Sequence, residues 1–220
     1  MIGLRGPEPD KPLQVLALGA HSDDLEIGCG GTLMRLQGAY DALRVHWVVV
    51  GCEDEARARE AEQSARALVG GDGDALEVAL GRFPDSLFPY RGEDVKRFFE
   101  ELKGQVRPDL IFTHYRHDLH QDHRLVCELT WNTWRDHLIL EYEIPKYDGD
   151  LGRPNVFVHL DDATVDRKVA HVLEHFPSQT VRRWFTDDLF RSLLRIRGME
   201  SNSPSGFAEG FYARKLVFEP

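Results

Sequence analysis

The chain has 220 residues, a formal net charge of −10 and 42% hydrophobic residues, enough for one substantial core and most economically a single domain over 1–220. So acidic a chain lacks the clustered Lys and Arg that grip a phosphate backbone, which argues against nucleic acid as a partner. No stretch approaches the roughly 20 apolar residues that span a bilayer, and residues 1–12, polar and rich in Pro and Gly, predict an irregular segment without the apolar run of a secretory signal, so a cytoplasmic location is expected.

In chain order, short apolar runs alternate with amphipathic stretches, the βαβ rhythm of a mostly parallel sheet with helices on both faces. Residues 14–20 predict a buried strand, followed by Gly28-Cys29-Gly30-Gly31-Thr32 and a helix to about residue 37. A strand is expected at 44–50 and a helix at 53–69, with Ala56, Ala61, Ala65, Leu68 and Val69 near one face and a stop at Gly70-Gly71. A third strand at 75–80, a helix at 93–103 and a strand at 110–113 follow. Beyond them the pattern predicts a helix from residue 122 or 123 to about 137, strands near 140–144 and 155–160, helices at 163–175 and 181–197, and a last strand at 212–218.

Two polar clusters stand at the ends of predicted strands: His21-Ser22-Asp23-Asp24 after the first, and His120-Gln121-Asp122-His123 after the strand at 110–113. Sites in open α/β sheets assemble at the carboxyl ends of the strands, so both clusters are placed to face one cleft. Imidazole nitrogen and carboxylate oxygen suit zinc, and a catalytic zinc takes three protein ligands and leaves one position for water. His21, Asp24 and His123 make such a set, and Asp23 is then free to accept a proton from the attacking water. One Zn2+ per chain is the expectation, although the same donors accommodate Fe2+ or Co2+. His114 and His117 are within reach of the second cluster as pocket-lining residues. Arg57 either contacts substrate or pairs with Glu60 at i,i+3. Three cysteines, Cys29, Cys52 and Cys127, at unpatterned spacing predict reduced thiols.

Glycines after a first strand invite a dinucleotide-binding assignment. His21, Asp23, Asp24 and Glu26 precede them, however, and carboxylates in that turn would repel a pyrophosphate. The glycines are expected instead to let backbone pass close to the site.

The segment Ala20-His21-Ser22-Asp23-Asp24-Leu25-Glu26-Ile27-Gly28-Cys29-Gly30-Gly31-Thr32 resembles the first motif of the PIG-L/LmbE-like zinc-dependent N-deacetylases, and His120-Gln121-Asp122-His123-Arg124 resembles their second. Further similarities are Arg57-Ala58-Arg59-Glu60, Tyr142-Glu143-Ile144-Pro145, Ser178-Gln179 and Phe207-Ala208-Glu209-Gly210-Phe211. Ser22 stands where proline is usual, and Glu26 where a subset of the family keeps its acidic residue.

The resemblance implies a single-domain Rossmann-like α/β fold and removal of an acetyl group from an N-acetylglucosamine-type moiety of a small molecule or glycoconjugate. It implies His21, Asp24 and His123 as metal ligands and Asp23 as general base. His120 would be the acid facing the carbonyl oxygen, and Asp122 would orient it and favour its protonated form. The partner implied is an N-acetylated amino sugar, with homo-oligomerisation left open. Two other readings remain at this stage: metal-dependent hydrolysis of another amide or ester, and a non-catalytic α/β binding module.

Overall fold

The computed structural model describes residues 10–70 and 75–217; most of the expected irregular N-terminal segment, Gly71 of the expected helix stop and Phe218 of the expected last strand lie outside them. The described chain forms one sheet of seven strands: β1 (Leu13–Gly19), β2 (Leu43–Val49), β3 (Leu76–Leu80), β4 (Leu110–His114), β5 (Leu138–Tyr142), β6 (Val156–Leu160) and β7 (Phe207–Tyr212). Their order is β3-β2-β1-β4-β5-β7-β6. The first five are parallel, and β7 runs antiparallel between β5 and β6. This is the α/β architecture expected.

Six helices cover the sheet: α1 (Asp24–Ala39), α2 (Glu55–Val69), α3 (Gly92–Gln105), α4 (Gln121–Thr133), α5 (Asp162–His175) and α6 (Asp187–Glu200). Alternation along β1 divides the core. Val15 and Ala17 face α1, α2, α5 and α6, in a cluster with Ala61, Leu68, Val169 and Phe190. Leu16 and Leu18 face α3 and α4, with Val95, Phe99 and Val126. A strand buried on both faces reads as the near-continuous apolar run LQVLALG, broken only by the half-buried Gln14. No helix among the described residues is long and apolar enough to cross a membrane.

The strand order reverses between β1 and β4, which are neighbours although far apart in sequence. Their carboxyl ends therefore diverge around a crevice, the usual ligand position in open α/β sheets; the first polar cluster follows β1 directly and the second follows β4 after five residues.

Several element boundaries differ from expectation. Helix α1 begins at Asp24 and includes the glycines. They are there for close packing: a Cβ on Gly28 would lie 2.2 Å from Cδ2 of buried Tyr142, and one on Gly31 2.7 Å from Leu160. Helix α6 starts six residues later than predicted, because the Thr186 side chain caps it by accepting the Leu189 N–H and Asp187 and Asp188 favour its first turn. The last strand covers 207–212, earlier than the alternation at 212–218 suggested. Its buried Glu209 is compensated by Lys168 at 2.5 Å and by the N–H groups of Gly31 and Thr32.

Candidate metal centre and active-site cleft

The first cluster follows β1 directly, and Asp24 opens α1. Its carboxylate accepts the backbone N–H of His21 at 2.6 Å, closing the turn and fixing both side chains. The second cluster follows β4 through a short loop, with His120 as N-cap of α4 and Asp122 and His123 in its first turn. His21, Asp23, Asp24, His120 and His123 line one cleft of about 190 Å³, together with Arg57, Asp85, Lys146, Tyr147, Arg182 and Trp184. A larger hollow of about 490 Å³ lies at the opposite end of the sheet, bordered by Gln14, Arg44 and Glu77, and it holds none of these groups.

Three donors converge at the cleft floor. His21 Nδ1 is 3.1 Å from His123 Nε2, Asp24 Oδ2 is 3.5 Å from His21 Nδ1, and Asp24 Oδ1 is 3.6 Å from His123 Nε2. Ligands at zinc bond lengths on the corners of a tetrahedron stand about 3.4 Å apart; the spacings of this His–His–Asp triangle are of that order, with the two histidines meeting different oxygens of Asp24. The chemistry of the donors fits as well. Burial and the neighbouring His114 lower His123 to about 3, keeping its ring neutral with a lone pair to offer. Burial opposes the charge on Asp24, yet its histidine neighbours, with hydrogen bonds from His114 and His21, hold its carboxyl well below the usual range. Among the described residues, the groups that bring one donor atom from each member within 4.8 Å of one another are His21, His120 and His123; His21, Asp85, His120 and Asp122; and Asp24, His114 and His123.

Both histidines of the triangle are held from behind by carboxylates. His123 Nδ1 is 2.9 Å from Asp118 Oδ2, which fixes the tautomer that leaves Nε2 free. His21 Nε2 is 3.0 Å from Asp85 Oδ1 and 3.3 Å from Asp122 Oδ2. Burial disfavours the imidazolium of His21, but the hydrogen bonds to Asp122, Asp24 and Asp85 outweigh it and raise the group well above its usual value. Paired carboxylates of this kind orient metal-binding imidazoles. Asp118 and Asp85 were not singled out from the sequence. Asp118 stands two residues before His120, and its signal was its neighbourhood to the second cluster.

Asp23 points away from the triangle. Its Oδ1 is 2.8 Å from Arg57 Nη2, and burial, opposed by Arg57 and assisted by Asp24, raises its carboxyl. Asp54 caps α2 by accepting the N–H groups of Ala56 and Arg57, which places Arg57 at the cleft. Arg57 Nη1 also reaches Ser178 Oγ at 3.0 Å and Glu60 at 3.4 Å, and Ser178 donates to Glu60. The expected ion pair of Arg57 with Glu60 is present, and the guanidinium also lines the cleft.

Three expectations need correction. The Asp122 carboxylate is engaged by His21 and by the N–H groups of Ser86 and Phe88, so it orients His21 and the loop before α3. Only its backbone N–H reaches His120, donating to Nδ1 at 3.3 Å. His120 is accordingly not driven to the protonated form: burial and the nearby His21 lower it. With Nδ1 accepting, its neutral ring carries the proton on Nε2. His114 does not line the cleft. It is fully buried behind Asp24, with Nε2 3.2 Å from Asp24 Oδ2, accepting the Ala20 N–H and stacking on His123 at 3.9 Å. His117 is exposed and packs edge-on against Tyr115, outside the cleft lining.

Glu26 also turns inward, accepting from Ser64 Oγ, which lies 2.8 Å from His171 Nε2. The three cysteines are free and buried.

Comparison with known proteins bears on the family and the fold. Residues 16–134 match the family model described as PIG-L, GlcNAc-PI de-N-acetylase. The chain is 28% identical over 169 residues to an Escherichia coli (strain K12) protein named as the uncharacterized deacetylase YaiS, covering 73% of this chain and 89% of the relative. Among solved structures, the conserved protein TT1542 from Thermus thermophilus has a TM-score of 0.74 at 22% identity, over 94% of this chain and 98% of the other. The N,N'-diacetylchitobiose deacetylase from Pyrococcus horikoshii has a TM-score of 0.64 at 21% identity, over 91% and 83%. At these identities the structural likeness speaks for the fold.

Proposed function

From the premise that the chain belongs to the PIG-L family of de-N-acetylases and is an N-deacetylase hydrolase, we propose that it removes the acetyl group from an N-acetylglucosamine-type moiety, with zinc held by His21, Asp24 and His123. The observation that carries this reading is the convergence of those three donors beside a separate, Arg-bound carboxylate, Asp23, at the floor of one cleft. A divalent cation there supplies Lewis acidity, polarising the amide carbonyl and acidifying water.

The chain's own residues supply the proton transfers. Asp23, with its carboxyl raised by burial, accepts a proton as water attacks the acetamide carbon. His120 offers its Nε2–H to the developing oxyanion as a neutral donor, a contribution on the order of 3 kcal/mol in comparable sites. Asp23 then returns the proton to the nitrogen as the C–N bond breaks, giving acetate and a free amine. Arg57 keeps the Asp23 carboxylate in place through this cycle. The three buried thiols go with a reducing, cytoplasmic setting.

The test is Asp23→Asn, assayed beside the wild type for zinc content and for amine release from N-acetylglucosamine and N,N'-diacetylchitobiose. The expected result is one bound zinc in both proteins, with activity only in the wild type. An Asp23→Asn protein turning over at the wild-type rate removes the general base from this account. Cleavage of simple esters or other amides in preference to both sugars replaces the substrate class.

A further inference from the structure

One wall of the cleft is built by the connection between β5 and β6, held at its ends by Arg197 on Glu143 and Gly152 and in its middle by a buried ammonium. Lys146 lines the cleft although its side chain is only 9% exposed. Its Nζ lies 2.9 Å from Asp118 Oδ1 and 2.6 Å from Asp150 Oδ2. Each of these carboxylates also grips the loop that delivers the second cluster: Asp118 Oδ1 accepts the N–H of His120 at 2.8 Å, and Asp150 Oδ2 accepts the N–H of Leu119 at 2.7 Å. The other oxygen of Asp118 holds His123 Nδ1. A continuous polar chain therefore runs from Asp150 through Lys146 and Asp118 to the ring whose far nitrogen faces the metal position. The carboxylate of Asp122, behind His21, is satisfied differently, by two backbone N–H groups.

Asp118 and Asp150 are nearly buried, and Lys146 is the cation between them. Removing one member of a buried charge cluster leaves the others desolvated and unpaired, which costs more than the pair contributed. Without the ammonium, the two carboxylates would repel each other across the loop. Relief by Asp118 turning away releases His123, and the wall that carries Tyr147 and Asp148 loses its central anchor at the same time.

Resting on the metal reading above, we propose that Lys146 is a positioning residue that sets the orientation of His123 and the placement of the substrate-facing wall together. Metal affinity and substrate affinity then share one determinant.

The experiment compares Lys146→Met and Lys146→Arg with the wild type, measuring zinc affinity by competition with a chelator and, at saturating zinc, kcat and KM on N-acetylglucosamine. In Lys146→Met, zinc affinity should fall about 10–100-fold, the range for lost outer carboxylate support, and KM should rise by a larger factor than kcat falls. Lys146→Arg keeps the charge and should restore zinc affinity to within about threefold of wild type on the same scale. Unchanged zinc affinity in Lys146→Met overturns the proposal. If that variant does not fold, Asp150→Asn carries the test: zinc affinity and substrate affinity falling together support the link, and a raised KM with unchanged zinc affinity breaks it. A wild-type chain that takes up neither zinc, cobalt nor iron overturns the metal reading itself and this link with it, whereas a zinc-binding wild type beside an unaffected Lys146→Met overturns the link alone.

Discussion

The guanidinium of Arg57 stands 2.8 Å from the Asp23 carboxylate, so the proposed proton acceptor is held by a cation whose effect opposes that of its own burial. Burial raises the Asp23 carboxyl and Arg57 lowers it. Replacing Arg57 with Met removes the lowering influence, and Asp23 loses its proton only at higher pH. The acid limb of the kcat/KM profile should therefore move upward in pH. The plateau should fall by less than the roughly 10²–10⁴-fold that general-base catalysis contributes, because the base itself remains. A pH–rate profile of the variant checks both; an unmoved acid limb would separate Arg57 from the function of Asp23.

Asp118 should matter to metal binding without touching the metal position. Its Oδ2 fixes the His123 tautomer from 2.9 Å, and loss of such support lowers metal affinity about 10–100-fold. Asp118→Ala should show this in equilibrium dialysis against zinc buffers, while a surface carboxylate change such as Asp136→Ala should leave zinc affinity unaltered.

The glycines of α1 should respond unequally to a methyl group. At Gly28 the new Cβ would enter the ring of Tyr142, whose hydroxyl donates to Leu18 O at 2.7 Å and cannot shift freely. Overpacking of this kind costs about 1–3 kcal/mol, a fall in Tm of roughly 2–12 °C for a chain of this size. At Gly30 the nearest atom is 3.5 Å away, an ordinary contact. Gly30→Ala should be neutral or stabilising by up to about 1 kcal/mol through helix propensity. Thermal unfolding of the two variants distinguishes them.

His171 should make the fold acid-sensitive. Burial, with His175 and Arg167 nearby, lowers it from 6.5 to about 4. Above pH 6.5 the ring is neutral in both folded and unfolded chains. Between 6.5 and 4 the unfolded chain takes a proton that the folded one refuses, so stability falls as pH falls through that window. The limit is about 3 kcal/mol. Glu26, on the other side of Ser64, is raised by burial and acts in the opposite sense, so the informative quantity is a difference. His171→Gln keeps a donor for Ser64, and its urea-unfolding stability should decline less than that of wild type between pH 7 and pH 4.5.

The sequence made the parallel half of the fold and the two polar clusters at its strand ends legible, because each follows from a short-range pattern. A continuous apolar strand such as 13–19, followed at once by His and Asp residues, carries its structural and chemical meaning in one window. What escaped notice depends on partners distant in sequence. The last strand was displaced toward 212–218 because Glu209 reads as a surface residue until Lys168 and the Gly31 and Thr32 N–H groups are seen around it. The glycines read as a loop because the ring that packs on Gly28 belongs to Tyr142, more than a hundred positions later. His114 was grouped with the cleft because it is close in sequence, but as the last residue of β4 it is buried behind Asp24.

The position of β7 bears on how the protein is made. Synthesis runs from the amino end, and folding tends to follow it, so His21, His123 and all of α1 emerge long before the strand that completes the sheet between β5 and β6. Until residues 207–212 arrive, Lys168 has no carboxylate and the Gly31 and Thr32 N–H groups lack the acceptor they have in the finished protein. The order of translation thus delays closure of the core behind the site until nearly the whole chain is available, and a ribosome-stalled chain ending near residue 200 should expose α1 to proteases that the complete protein resists.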